Sequence, residues 1–288
     1  MFIKKLFGPV YQQFSILEKF YLLWAWLVYK LYLTVPKSFY ETRNLFEYLD
    51  KNNVVVEKEG KENNIFYRLN NKNYKIKIRR STSDIAVFHQ IIINEEFKGV
   101  LDLIKENNIQ INTIVDAGAN IGISSLYFHS EFNDASILLI EPNQENFQIC
   151  QENINSNIQE KAICVKAGLW SKKTLLVENQ NFGDGRHWAF SVKEAESEFE
   201  QKTMESISPD MCFEILGVKE IDLFKIDIEG AELELLINGD NSFLEKTKIV
   251  AVEIHDKGRI GEVIDLMSTK HFSYNIVGEY HLFINGTY

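Results

Sequence analysis

Two stretches of the chain concentrate groups able to do chemistry. The first is IVDAGANIG, Ile114 to Gly122, an apolar run that ends in an acid and two glycines. Gly118 and Gly122 lack a Cβ and let backbone amides approach a ligand. A helix beginning near Ile121 would direct its N-terminal partial positive charge at a carboxylate or phosphate. About 20 residues further on, Glu141 closes a second apolar run in LLIEPN, where a carboxylate can accept hydrogen bonds from both hydroxyls of an adenosine ribose. The second stretch is IDLFKIDIEGAE, Ile221 to Glu232. Its Lys225, Asp227 and Glu229 alternate to one face of an extended strand, and Gly230 allows a sharp exit into the next helix.

Which nucleoside the first stretch would hold follows from its glycines. A dinucleotide fingerprint reads G-x-G-x-x-G, but Asn120 stands where the second glycine belongs and no pyrophosphate-sized loop remains. S-adenosylmethionine fits better: its ammonium needs an acidic partner and its carboxylate needs amides. Asp116 and the backbone from Gly118 through Ala119 and Asn120 to Gly122 offer both. Transfer of its methyl group is an in-line displacement, so the protein supplies alignment and a means of removing the acceptor's proton. His255, which follows the fifth strand in VEIHD, is the candidate base, since neutral imidazole accepts a proton near pH 7; Glu253 lies on the same face. The alternative for His255 is a hydrogen bond to the neighbouring strand or a helix cap. Asp227, Glu229 and Glu253 are hard oxygen ligands suited to a divalent cation, yet nothing fixes a geometry and no metal is expected. Arg186, His187 and Trp188, in the polar loop over 179–191, could line a sugar site or simply sit in a solvent-exposed connection.

The elements that must position these groups read as an α/β pattern. From residue 112 short apolar strands alternate with helices: INTIVDAG, SILLIEPN, AICVKAG, IDLFKIDIEG and KIVAVEIHD are separated by ISSLYFHSEF, QENFQICQENI, MCFEILG and AELELLING. After RIGEVIDLMS come HFSYNIV and EYHLFIN around Gly278. Strands separated by helices of about ten residues imply a parallel sheet with right-handed crossovers. The final pair, joined by a tight turn, should be antiparallel. Upstream, residues 65–80 read as a β-hairpin around NNKN, and Ser83 to Lys105 has helical spacing.

Residues 14–35, FSILEKFYLLWAWLVYKLYLTV, form an apolar helix whose uninterrupted run from Phe20 to Tyr29 is too short to span a bilayer. Something must cover it: the protein's own core, a second subunit, or a lipid interface, which its Tyr and Trp residues and Lys4, Lys5, Lys19, Lys30 and Lys37 would suit. The 288 residues carry 31 Lys and Arg against 41 Asp and Glu, a net charge of −10. That balance disfavours nucleic acid as a partner. Three widely spaced cysteines with no CxxC pair make a disulfide framework or structural zinc unexpected and point to a reducing cytoplasm.

The combination of DAGANIG (Asp116 to Gly122), Glu141 and KIDIEGAE (Lys225 to Glu232) resembles the FkbM family of S-adenosylmethionine-dependent methyltransferases. The lead-in SDIAVFHQIIINEEF and the segment TMESI (Thr203 to Ile207) are similar too, so the resemblance covers about residues 81–288 and leaves 1–80 as an N-terminal extension. It implies a class I (Rossmann-like) methyltransferase fold: a mostly parallel seven-stranded sheet ending in an antiparallel hairpin. The implied activity is O-methylation of a hydroxyl on a glycan, glycolipid or secondary metabolite. By the same resemblance Asp116, Gly118, Asn120 and Gly122 would form the methionine-side loop and Glu141 would hold the ribose. Ala167 and Gly168 would lie near the adenine, Asp227 would face the methionine end, and Glu229 would look toward the acceptor. Two other readings stand beside it: a non-catalytic cofactor-binding interaction module, and a nicotinamide-dependent oxidoreductase, which would need the missing pyrophosphate loop. The expected location is cytoplasmic or membrane-peripheral.

Overall fold

The computed structural model describes residues 55–60, 62–79, 82–179, 190–197 and 202–288, together with 19, 20, 23, 24 and 27. The chain divides into two units, residues 1–95 and 96–288.

In the first unit three strands form an antiparallel meander: β1 (Val55–Glu59), β2 (Glu62–Leu69) and β3 (Lys72–Arg79). The expected hairpin is β2–β3. It turns through Asn70 and Asn71, both at positive φ, a conformation asparagine tolerates and right-twisted hairpins need. Tyr74, Ile76 and Ile78 alternate inward along β3, the period of two expected of a half-buried strand. Helix α1 (Asp84–Phe88) continues into a wider turn at His89–Ile93. Asp84 takes the Arg79 backbone amide at 2.8 Å and its guanidinium at 2.9 and 2.7 Å. That clamp ties the lead-in to β3, so residues up to Glu95 cluster with the hairpin. The single helix expected over 83–105 is therefore two, broken at Glu95 (φ 52°) before α2 (Lys98–Glu106).

The second unit is built on a seven-stranded sheet: β4 (Thr113–Ala117), β5 (Ser136–Ile140), β6 (Ala162–Val165), β11 (Ile221–Ile226), β12 (Thr247–Glu253), β13 (Phe272–Val277) and β14 (Tyr280–Asn285). Its order is β13-β14-β12-β11-β4-β5-β6. β14 runs antiparallel to both neighbours, and the β4, β5, β6, β11 and β12 pairings are parallel. β4 and β11 are buried at every position, as strands covered on both faces must be. The connecting helices are α3 (Ile123–Glu131), α4 (Gln144–Asn157), α5 (Pro209–Leu216) and α6 (Ile260–Thr269). The AELELLING segment contributes a short wide turn, Glu234–Asn238. This open sheet with its one reversed strand is the class I methyltransferase fold.

Two features depart from the sequence pattern. A second sheet pairs β7 (Gly168–Leu169), β10 (Met204–Ile207), β8 (Leu175–Glu178) and β9 (Val192–Glu194) in that order. Within it Ser206 Oγ accepts from Thr174 N at 2.7 Å and donates to carbonyls of the same turn, so the TMESI segment is held structurally. The strand expected over 221–230 stops at Ile226. Asp227 makes one further ladder bond to Ala117 O, but Glu229 (φ 50°) and Gly230 (φ 93°) turn the chain away, so Glu229 is not on the Lys225–Asp227 strand face.

The apolar helix of 14–35 and the loop carrying Arg186, His187 and Trp188 lie largely outside the described residues. Phe20, Trp24 and Leu27, three described positions of that helix, are exposed. Among the described residues no helix is long and apolar enough to cross a membrane.

Candidate active site

The site groups converge at the carboxyl ends of β4, β5, β11 and β12. Asp116, next to last in β4, is fully buried. Its Oδ2 accepts from Ser124 Oγ at 2.5 Å and Ser125 Oγ at 2.7 Å, both on the first turns of α3. Lys225, directly opposite on β11, brings Nζ to 3.1 Å from Asp116 Oδ1 and 3.6 Å from Asp227 Oδ2. The Lys225–Asp116 contact is an ion pair outside hydrogen-bonding angles, which leaves Oδ1 buried without a hydrogen-bond donor. Lys225 also donates to Gly118 O at 2.9 Å and Ala117 O at 3.3 Å. Burial alone would lower its pKa; the charges of Asp116 and Asp227 outweigh that and hold it above the ordinary lysine value.

The glycine loop is tied down from within. Gly118 and Ala119 both donate to Ile140 O at 3.0 Å, Asn120 N donates to Glu141 Oε2 at 2.9 Å, and Gly122 N donates to Ala119 O. The expectation that these amides stand open to a ligand carboxylate is corrected: the neighbouring strand takes them. Gly118 is glycine for a further reason. A Cβ there would lie 1.8 Å from Asp227 O, so the close passage of the β4 and β11 exits excludes any side chain. Asn120 adopts φ 51° and Gly122 φ 82°, which turns the chain into α3. Buried Asn153 on α4 props the loop by donating to Ile121 O at 2.8 Å.

Glu141 is almost fully buried, with Oε1 on Asn143 N at 2.8 Å and Oε2 on Asn120 N. Burial pushes its pKa up to about 7, against the opposing pull of the Asn143 and Asn120 amides and the Lys225 charge. Ala167 is buried beyond β6, at the sheet end expected for it.

Asp227, Glu229 and His255 come together beyond the ends of β11 and β12. His255, just past β12, sits with Nδ1 2.9 Å from Glu232 Oε1 and Nε2 3.2 Å from Glu229 Oε2 and 3.7 Å from Glu253 Oε1. Burial would lower the imidazole's pKa, but hydrogen bonds and charge from Glu229 and Glu232 carry it up to about 11. This corrects the expectation of a neutral imidazole base, because a ring charged at neutral pH has no lone pair with which to take a proton. Burial, with the charge of Asp227, raises Glu253 to about 8. Two partners were not legible beforehand. Tyr280, which opens β14, donates to Asp227 Oδ2 at 3.2 Å. Glu232, 1% exposed, is fixed by Gly230 N at 3.0 Å and orients His255; its presence in the acidic run was the only signal.

Fold and site together define a class I methyltransferase. Comparison with known proteins narrows the class: the family model described as Methyltransferase FkbM domain matches residues 116–276. The chain belongs to this family. "Methyltransferase 1" of Beauveria bassiana (strain ARSEF 2860) is 27% identical over 179 residues, covering 56% of this chain and 72% of that protein. "Hexuronic acid methyltransferase AglP" of Haloferax volcanii is 27% identical over 177 residues, covering 62% and 70%. A crystal structure of methyltransferase FkbM from Methylobacillus flagellatus KT aligns at 15% identity and a TM-score of 0.41 over 61% of this chain, which spans 44% of that chain's length.

Proposed function

We propose that this methyltransferase uses S-adenosylmethionine to methylate a hydroxyl of a glycan, glycolipid or related secondary metabolite. The observation that carries the reading is the polarity of one sheet end. A glycine loop and the buried carboxylates of Asp116 and Glu141 lie at β4 and β5, while a half-buried group of acids lies beside them at β11 and β12. The first set suits the cofactor: Glu141 would accept from ribose hydroxyls, Asp116 would face the ammonium, and the Gly118–Gly122 turn would set the course of the loop beside the methionine chain. Once bound, S-adenosylmethionine supplies a methyl carbon activated by its sulfonium. The second set suits the acceptor. The carboxylates of Asp227 and Glu229 can take a hydroxyl's hydrogen bond and then its proton, and His255, held charged, offsets the negative charge that develops on oxygen. A relative named for hexuronic acid methylation supports a sugar acceptor.

The test is calorimetric titration with S-adenosylmethionine and with NAD. Micromolar binding of the former alone, lost in Glu141→Ala, is the expected outcome; binding of NAD instead would overturn it. Turnover follows from a panel of glycans and hydroxylated small molecules with the labelled cofactor, and cofactor binding without turnover on any acceptor would favour an interaction module. The exposed Phe20, Trp24 and Leu27 support a role for the 14–35 segment in bringing the enzyme to a membrane-borne acceptor or to a second copy of the chain.

A further inference from the structure

We propose that Cys150 and Cys164 form an oxidisable thiol pair beside the glycine loop, and that closing it to a disulfide weakens cofactor binding. The inference rests on the reading of that loop as part of the S-adenosylmethionine site, and it adds a modification site on the helix packed against it.

The register of the sheet brings the two residues to one place. Across the parallel strands Lys225 lies opposite Asp116, Asp116 opposite Leu139, and Leu139 opposite Cys164. Paired positions share a face of a sheet, so Cys164 projects to the face on which Asp116 meets Ser124 and Ser125 of α3. Helix α4 packs against both α3 and β6. Its Asn146, Ile149, Cys150, Asn153 and Ile154 are buried, the spacing of an inward helical stripe. From that stripe the Cys150 thiol is hydrogen-bonded to the thiol of Cys164. Cys150 is buried and Cys164 is half-buried, so solvent reaches one member of the pair. Far apart in sequence and without a CxxC spacing, the two were not legible as a pair.

Cys150 also borders the loop. A Cβ on Gly122 would lie 3.1 Å from Cys150 Sγ, and one turn further along α4 Asn153 donates to Ile121 O. Hydrogen-bonded sulfurs must close to about 2.05 Å to form a covalent bond. Closure therefore draws α4 toward β6 and moves the two side chains that hold the end of the glycine loop.

The thiols are unequal in a way that suits exchange. Their hydrogen bond, with burial, raises the pKa of Cys150, whereas the same bond lowers that of Cys164 against the pull of burial. The half-buried Cys164 is thus the thiolate that attacks. With a small-molecule disulfide such as oxidised glutathione as the oxidant, Cys164 attacks one sulfur, the glutathione S–S bond breaks, and one glutathione thiolate leaves. Cys150 then gives its proton to solvent and attacks the Cys164 sulfur, expelling the second glutathione thiolate. The protein pair loses two electrons and the glutathione disulfide gains them. Cys212 on α5 is the internal reference: it is buried, and burial pushes its thiol up to about 12.

The test equilibrates the full-length protein in glutathione buffers of stepped oxidised-to-reduced ratio. Alkylation under denaturing conditions and peptide mass mapping read the thiols, and S-adenosylmethionine calorimetry and circular dichroism read the same samples. The expected result is a peptide pair joined through Cys150 and Cys164, with Cys212 alone alkylated. Cofactor affinity should fall about 5- to 150-fold in the oxidised protein, the usual range of coupling between two sites, and return with dithiothreitol. By reciprocity, saturating cofactor should raise the ratio needed for oxidation by the same factor. Cys164→Ser should keep the affinity of the reduced parent at every ratio, Cys164→Ala serving if serine unfolds the strand, and Cys212→Ser should respond as the parent does. Failure of the Cys150–Cys164 disulfide to form in the parent overturns the proposal, as does a disulfide that leaves cofactor affinity unchanged. Reduced protein that binds no S-adenosylmethionine overturns the cofactor reading and the coupling with it, while the mapped disulfide stands or falls by itself.

Discussion

Glu141 carries a pH dependence whose sign can be worked out. In the unfolded chain its carboxyl ionises near the ordinary glutamate value of 4.5, whereas in the fold burial pushes it up to about 7. Between those values the folded state keeps a proton that the unfolded state has lost, so this group's contribution to stability falls as pH rises through that window. Binding runs the other way. On the proposed reading ribose hydroxyls would donate to the ionised carboxylate, so cofactor affinity should rise about tenfold from pH 6 to pH 8, the change in ionised fraction for a group titrating near 7. Calorimetry across that range checks it, and Glu141→Gln should flatten the profile. Lys225 presents a different case. Its partner Asp116 is fully buried, and removing one member of a buried pair leaves an uncompensated charge costing about 3–5 kcal/mol. Lys225→Met should therefore lower unfolding free energy by about that much in urea, with a companion loss of cofactor affinity because the glycine loop loses its tether.

Among the elements, the exit of β4 makes the most specific demand. Gly118→Ala must fit a methyl into a space already held by Asp227 O, at φ 75°, whereas Gly217→Ala, at φ 65°, meets nothing within 4 Å. The second should cost only the backbone term of about 1–2 kcal/mol. The first should cost clearly more and displace Asp227, visible as a lower melting temperature and weaker cofactor binding. The parallel strands were legible because two covered faces make continuous apolar runs, as TIVDA, SILLI and IDLFKI show. The end of β11 was overrun because KIDIE keeps a period of two while its backbone turns at Glu229, which no pattern of side chains reports. TLLVEN, residues 174–179, reads as a short β-run and is β8, but the pairing of the small sheet was invisible: β10 pairs with β7 and β8 across gaps of about thirty residues, and such pairings are set by packing and not by local propensity. His255 was found at its strand end, but its protonation depends on Glu229 and Glu232, which only the folded loops bring beside it.

At the scale of the whole molecule, a net charge of −10 repels anionic surfaces, and the lysines around the 14–35 segment locally reverse that sign. Anionic vesicles should therefore retain the protein at low salt and release it as salt screens the lysines. Replacing Phe20, Trp24 and Leu27 together with serine should abolish retention at any salt. If the segment instead joins two copies, the same variant should leave vesicle partition unchanged and shift the sedimentation coefficient to that of a single chain.

The passage of Asp227 O across the missing side chain of Gly118 has a further consequence. With Lys225 bonded to the carbonyls on one side and the Asp227 carboxylate on the other, the glycine loop after β4 and the loop after β11 are fastened at one point. A ligand that displaces either must displace both. On the proposed placement of cofactor and acceptor, the two would communicate through the backbone, and because linkage is reciprocal, whatever the first does to the second's affinity the second would return in equal measure.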